Sequence, residues 1–373
     1  MSMSDRDGFI WLDGELVPWR EAKVHVLTHT LHYGMGAFEG VRAYKTDKGT
    51  SIFRLGDHTK RLINSAKILG MKIPFSQTEI EEAQKLVVEK NNLKSGYIRP
   101  MVFYGSEGMG LRADNLKEHL MVAAWEWGSY FSDDNLKNGI RIKTSSYTRH
   151  HVNATMCKAK ANGNYINSML ALQEALNCGY DEALLLDVNG YVAEGSGENI
   201  FIVNDNTIYT PEVNSALDGI TRRTVMKIAE DEGIEIKVKN ITRDEIYISD
   251  EAFFTGTAAE VTPIRELDER SIGNGSRGPI TEKLRKKFFD IVNGKSDKYK
   301  NWLTVVKWSM SLNKKKKALN TIIIHKEDLP LACPREDYLK LSHPKIFLPI
   351  EKKAENKIEC PYCSTVYELK EDD

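Results

Sequence analysis

Apolar positions change their period several times along the chain, and each change marks an element. Residues 9–12 and 15–19 flank Asp13-Gly14, which predicts a small hairpin. Leu62, Ile63, Ala66 and Leu69 then share one face, so residues 58–69 are predicted helical, with Gly70 as the stop. Ser76-Gln-Thr-Glu79 is a capping box that opens a second helix to about Lys90. Gly96-Tyr97-Ile98-Arg99-Pro100 begins a strand on which Tyr97 and Arg99 share a face. A strand is predicted at residues 140–148, a helix at 165–176 and a strand at 183–187. The turn Asn189-Gly190 and a short strand at 191–193 follow. Leu217-Asp218-Gly219-Ile220-Thr221 leads into an amphipathic helix, with Thr221 as its N-cap and Gly233 as its stop. Thr242-Arg-Asp-Glu245 is another capping box, and residues 252–255 form a strand running into Gly256-Thr257-Ala258-Ala259. The result is a mixed α/β (α+β) chain.

At 373 residues the chain is long enough for two or three domains. Hydrophobic content of 41% and charged content of 28% describe a soluble globular protein. A net charge of −1 gives no global attraction to nucleic acid or an anionic membrane. No apolar run approaches a membrane span, and Met1-Ser-Met-Ser-Asp-Arg-Asp lacks a secretory apolar region, so a cytoplasmic location is expected. Five cysteines, an odd number, argue against a complete disulfide framework.

Three short stretches carry candidate chemistry. Lys158-Ala-Lys160-Ala-Asn-Gly163-Asn164-Tyr165 places two lysines at a strand-to-helix junction, where a desolvated amine can attack a carbonyl. On a strand both lysines would share a face, so spacing alone does not choose between them. Glu194-Gly195-Ser196-Gly197-Glu198-Asn199 offers two carboxylates around flexible glycines. Gly219-Ile220-Thr221 presents the N–H groups of a helix start, which suit a phosphate. Lysine, carboxylate and phosphate site together match the needs of pyridoxal phosphate.

At this point the chain resembles the fold-type IV, or class IV, aminotransferases, and most closely the branched-chain amino acid aminotransferases. The likeness runs from about Ile10 to Trp302 and rests on Lys160-Ala-Asn-Gly-Asn-Tyr165, Glu194-Gly-Ser-Gly-Glu-Asn199 and Gly256-Thr-Ala-Ala-Glu260 in that order. It implies a two-domain enzyme that moves an amino group between leucine, isoleucine or valine and 2-oxoglutarate. By that resemblance Lys160 is the Schiff-base lysine and proton shuttle, Glu194 the partner of the pyridine nitrogen, and Tyr165 the partner of the phenolic oxygen. Arg61, Ile220, Thr221 and Thr257 would hold the phosphate, with Glu198, Asn199, Leu217, Gly219 and Gly256 beside the cofactor. Tyr97, Thr257, Ala258 and Ala259 would receive the α-carboxylate, and Arg99 the second carboxylate of glutamate. Tyr33, Phe38, Met109, Leu111, Trp127 and Tyr130 would border the substrate, Tyr33 from a neighbouring subunit, which implies a homodimer or larger homo-oligomer. Asp218 departs from the family pattern, where a proline precedes the glycine. An aminodeoxychorismate lyase and a D-amino-acid aminotransferase are the alternatives of the same fold; the family's D-specific branch generally lacks Tyr-x-Arg.

The likeness ends near residues 302–308. A lysine run at 314–317 follows, read as solvated because no aromatic platform accompanies it. Beyond it Cys333, His343, Cys360 and Cys363 have the ligand types of a tetrahedral zinc site, and so short a segment needs a staple. The segment resembles small Cys-His-Cys-Cys zinc-finger domains. A zinc-dependent interaction scaffold is therefore the reading from another class, with a partner for this segment left open. The expected organisation is a small N-terminal α/β domain at 1–128, a linker at 129–138, a larger cofactor-binding domain at 139–307, a basic linker at 308–325 and a zinc-finger-like domain at 326–373.

Overall fold

Two sheets organise the first part of the protein in a computed structural model, which describes residues 2–112, 114–128, 130–308, 321–333, 346–353, 356–360 and 365–370. The chain divides into two compact units, residues 1–307 and 308–373. In the first unit, strands Phe9–Leu12, Val41–Thr46, Gly49–Phe53, Gly96–Tyr104 and Glu118–Trp125 are the main members of an antiparallel sheet. Helices Leu55–Ile68 and Gln77–Lys90 bury Leu62, Ala66, Ile80 and Val87 in the same core as Val41, Ile52, Ile98 and Val122. Ser76 and Glu79 form the predicted capping box.

The second sheet is mixed. Strand Ile140–Thr144 runs parallel to both neighbours, Glu182–Leu186 and Glu260–Leu267. Its interior strand Asn199–Asn204 is apolar on both faces: Phe201 and Val203 enter one core with Val225, Phe253 and Phe288, while Ile200 and Ile202 enter another with Ile142, Phe254 and Ile264. Burial on both sides explains why this stretch is a continuous apolar run rather than an alternating one. Helices Ile220–Asp231 and Pro279–Val292 supply one layer. Strand Leu303–Val305 pairs back onto Gly49–Phe53 in the first sheet.

Local differences from the sequence reading have local causes. Residues expected as a plain linker contain helix Asp133–Asn138, because the Ser132 hydroxyl accepts from the Asn135 N–H at 3.2 Å and caps it. The N-cap of helix Ile220–Asp231 is Gly219, not Thr221, and no side chain caps it. Residues 157–159 form a turn rather than a strand, after Met156 with φ of 58°.

In the second unit, Thr321–Ile324 runs parallel to Val366–Leu369, which pairs antiparallel with Lys357–Glu359. Thr321–Ile324 had been expected in the linker, but Ile324 is drawn into a core with Leu331, Cys333, Leu348, Cys360 and Tyr367. The lysine run at 314–317, His343 and Cys363 lie outside the described residues. Among the described residues no helix is long and apolar enough to cross a membrane.

Candidate active site

The lysine segment is held from two sides. The Lys160 N–H donates to Ser65 Oγ at 3.0 Å, and the Lys160 carbonyl accepts from the Phe38 N–H at 3.1 Å. These bonds fix its backbone against the first sheet and its helix. The Lys160 ammonium then enters a cavity of about 390 Å³ and donates to Tyr165 Oη at 2.5 Å. Lys158 takes another direction: its ammonium donates to the carbonyls of Val213 and Ala216 and lines two other cavities. The turn at 157–159 breaks the strand alternation that would have put both lysines on one face.

Opposite the lysine, strand Val192–Gly195 carries Glu194 into the cavity. Its Oε1 pairs with Arg149 Nε at 3.0 Å, and its Oε2 accepts from the Leu217 N–H at 3.4 Å. Both partners are largely buried. Arg149 is itself fixed by Asn167 Oδ1 at 2.8 Å, Ser168 Oγ at 3.1 Å and the Gly195 carbonyl at 3.2 Å. Burial pushes Glu194 above the ordinary carboxylate range, and Arg149 opposes that push. Nearby Glu182 and Glu198 are also pushed up by burial, and repulsion from Glu182 raises Glu198 further. Arg149 thus makes Glu194 the carboxylate best suited to carry charge here.

The third side is the start of helix Ile220–Asp231. With Gly219 at the cap and no side-chain acceptor, its first N–H groups are left for a bound anion. A Cβ on Gly219 would lie 2.0 Å from Asn199 Oδ1, and the Asn199 amide donates to the Leu217 carbonyl at 3.0 Å. Only glycine allows that close approach. Arg61 borders the same end. Its guanidinium grips Glu39 through Nε at 2.6 Å and an amino group at 3.0 Å, and donates to the Asp218 carbonyl at 3.0 Å. Burial pushes Glu39 up, but Arg61 and His58 outweigh it and hold the carboxylate well below its usual range. Three of the five guanidinium N–H groups are thereby engaged, leaving the rest for a ligand.

The first sheet supplies the remaining wall. Tyr97 lies against Gly40, where a Cβ would sit 1.8 Å from its hydroxyl. Arg99 stacks 4.7 Å from the Phe38 ring centroid, and its buried Nε has no hydrogen-bond partner among the described residues. Arg42 pairs with Glu260 Oε1 at 2.9 Å and also donates to the Gly128 carbonyl; Tyr44 Oη donates to Glu260 at 2.9 Å. Glu260 has φ of 57°, so this buried network closes the 257–260 turn beside the cavity.

Lys160, Tyr165, Glu194, Glu198, Asn199, Arg61, Leu217, Gly219, Ile220, Thr221, Gly256, Thr257 and Ala258 all line the cavity, as do Phe38, Tyr97, Arg99, Trp127 and Tyr130. Ala259 does not; it is buried, and its carbonyl accepts from Thr262. Tyr33, Met109 and Leu111 do not line this cavity either and are 43%, 48% and 91% exposed. Arg149, Gly40, Cys157 and Ser196 line it and were not singled out from the sequence. Arg149 lies 45 positions from Glu194, and no periodic signal links them.

Residues 36–267 match the family model described as amino-transferase class IV. A branched-chain-amino-acid aminotransferase of Pseudomonas aeruginosa is 64% identical over 307 residues, covering 82% of this chain and all of that protein. An Escherichia coli relative of the same name is 43% identical over 300 residues, covering 80% of this chain and 97% of its own length. The T.th. branched-chain amino acid aminotransferase, solved with pyridoxamine 5′-phosphate, superposes with a TM-score of 0.79 at 50% identity, covering 81% of this chain and 99% of that one. A Thermobaculum terrenum branched-chain amino acid aminotransferase in its PLP form gives 0.76 at 34% identity, covering 80% and 98%.

Proposed function

The chain belongs to the class IV aminotransferase family, and on that footing we propose that it is a cytoplasmic, pyridoxal-phosphate-dependent branched-chain amino acid aminotransferase. It moves an amino group reversibly between leucine, isoleucine or valine and 2-oxoglutarate. The observation that carries this reading is the shared cavity: the Lys160 amine, the Glu194–Arg149 pair and the uncapped start of helix Ile220–Asp231 all face it. An unpaired helix start, a guanidinium with spare donors and a carboxylate backed by a cation fit the phosphate and ring of that cofactor.

Lys160 Nζ would hold the cofactor through its carbonyl, and as a free amine it would be the base that takes the proton from the substrate Cα and delivers it to the former carbonyl carbon. Glu194 would face the protonated ring nitrogen, with Arg149 opposing the upward push of burial on its carboxyl. When bound, pyridoxal phosphate supplies a carbonyl for amine capture and a ring that accepts carbanion charge. Tyr165 Oη, already bonded to Lys160 Nζ, orients the amine and a phenolic oxygen. Arg61, Ile220, Thr221 and Thr257 hold the phosphate; Tyr97, Thr257 and Ala258 hold the α-carboxylate. Incubation with L-leucine and 2-oxoglutarate should form glutamate; pyruvate release from aminodeoxychorismate, or a preference for D-alanine, would replace this reading.

Arg99 receives the second carboxylate of glutamate. Among the described residues its buried Nε has no partner and the guanidinium no acid, which supports this, since such a cation lining a cavity suits a ligand acid. In Arg99→Gln the KM for 2-oxoglutarate should rise by about 10- to 100-fold, while the KM for leucine changes little. Equal rises for both would remove the role.

Subunit pairing is part of the same proposal. Helix His29–Tyr33 and the loop at 109–111 are joined by the bond between His29 Nε2 and the Gly110 carbonyl at 2.7 Å. They place exposed Leu31, Tyr33, Met109 and Leu111 together, a surface suited to a second copy. Light scattering should find a dimer or larger; a strictly monomeric active enzyme would remove this element.

For the second unit we infer one structural zinc held by Cys333, His343, Cys360 and Cys363. Cys333 and Cys360 are buried in one core, and the Tyr367 hydroxyl donates to Cys333 Sγ at 3.1 Å, as it would to a thiolate. Among the described residues no three metal-binding groups come together, and the other two ligands lie outside them. Four protein ligands would leave no open position for water or substrate. Metal analysis should find about one zinc per chain. Truncation before Lys314 should remove it and leave transamination largely intact. Retained zinc would show the ligand set to be wrong, and lost activity in a folded, cofactor-loaded truncation would make this unit part of the catalytic assembly.

A further inference from the structure

A second cavity, of about 420 Å³, lies behind Arg61 and Leu217, which it shares with the catalytic cavity. One side is the outer edge of helix Leu55–Ile68, where Asp57, Lys60, Asn64 and Lys67 follow one another at spacings of three and four. The opposite side is Lys158, the segment Leu217-Asp218, and Arg223. Of its five cationic side chains Arg61 is paired with Glu39, so Lys60, Lys67, Lys158 and Arg223 face two carboxylates there, in a chain whose net charge is only −1. The positive surplus is therefore local.

Neutralisation within the cavity is incomplete. Asp57 is taken by Arg54, outside the cavity, at 2.5 Å. Asp218 stands 3.8 Å from Arg222 and 3.8 Å from Arg223. Among the described residues neither Lys60 nor Lys67 makes an ion pair. The Lys158 ammonium donates to the Val213 and Ala216 carbonyls, which are neutral and leave its charge in place. A row of lysines on a convex helix face would be solvated and unremarked. Here the row closes over a concavity, against cations from a different segment, so that one small anion can meet ammonium groups from both sides.

We propose that this cavity is a second anion site, distinct from the catalytic one, that takes a phosphate group. Several convergent ammonium groups match the charge and multiple acceptor oxygens of a phosphate better than a single carboxylate. Inorganic phosphate and a phosphate monoester share that chemistry.

The test uses the full chain loaded with pyridoxal phosphate, so that the catalytic phosphate position is already filled. Loading is read separately from the cofactor absorbance, so failure of the proposed function and failure of this site are distinguishable. Inorganic phosphate and pyridoxine 5′-phosphate are titrated in parallel by calorimetry, each against chloride at matched ionic strength to remove screening. Saturable binding of either supports the site, and the pair of titrations tells which source it takes. Lys60→Gln combined with Lys67→Gln should weaken binding by about tenfold with leucine transamination unchanged; the single variants guard against a folding defect in the double. No saturable binding of either compound above chloride, or unchanged affinity in the folded variants, overturns the proposal.

Discussion

Lys160→Ala should yield a folded protein with almost no transamination, turnover falling by about three powers of ten or more. The loss follows from the position of one atom. Lys160 Nζ is the amine that enters the cavity beside Tyr165 Oη, while the neighbouring Lys158 ammonium turns to two carbonyls and a different cavity. On the proposed mechanism, replacement would therefore remove both the anchor of the cofactor and the base at the substrate Cα. The visible absorbance of lysine-bound cofactor should vanish in Lys160→Ala and persist in Lys158→Ala, along with most of its turnover. The opposite pattern would assign the chemistry to Lys158.

Glu194→Gln should retain cofactor but lose turnover. Gln keeps the shape and the contact to the Leu217 N–H, yet cannot balance a protonated ring nitrogen, and it leaves Arg149 buried without its acid. Breaking such a buried pair costs about 3–5 kcal/mol, which corresponds to about 10²- to 10⁴-fold in rate if it falls on the transition state. Rate and cofactor content should be measured together, with the thermal midpoint as a check on folding. A variant with near-normal turnover would shift attention to Glu198, whose carboxyl lines the same cavity.

Helix boundaries and caps were readable from neighbours in the chain. Ser76 with Glu79, and Thr242 with Glu245, cap as their spacing requires, because the groups that bond lie three residues apart. The glycine at 219 and the small residues at 256–258 likewise marked where backbone meets a ligand cavity. The resemblance added roles to Lys160, Glu194 and Arg61, but no pattern in the chain could supply their partners. Arg149 beside Glu194, Glu39 beneath Arg61, and Glu260 against Arg42 and Tyr44 are joined by burial rather than by period. Each desolvated charge needs an opposite one, and the partner comes from whichever distant element the packing brings near. The choice between Lys158 and Lys160 has the same origin. Strand alternation would have left them equivalent, but a turn at 157–159 and backbone bonds from Lys160 to Ser65 and Phe38 point them into different cavities. Local hydrogen bonding and periodicity act over a few residues and are written in the sequence; which charged groups meet, and which amine faces the cavity, depends on contacts across the fold.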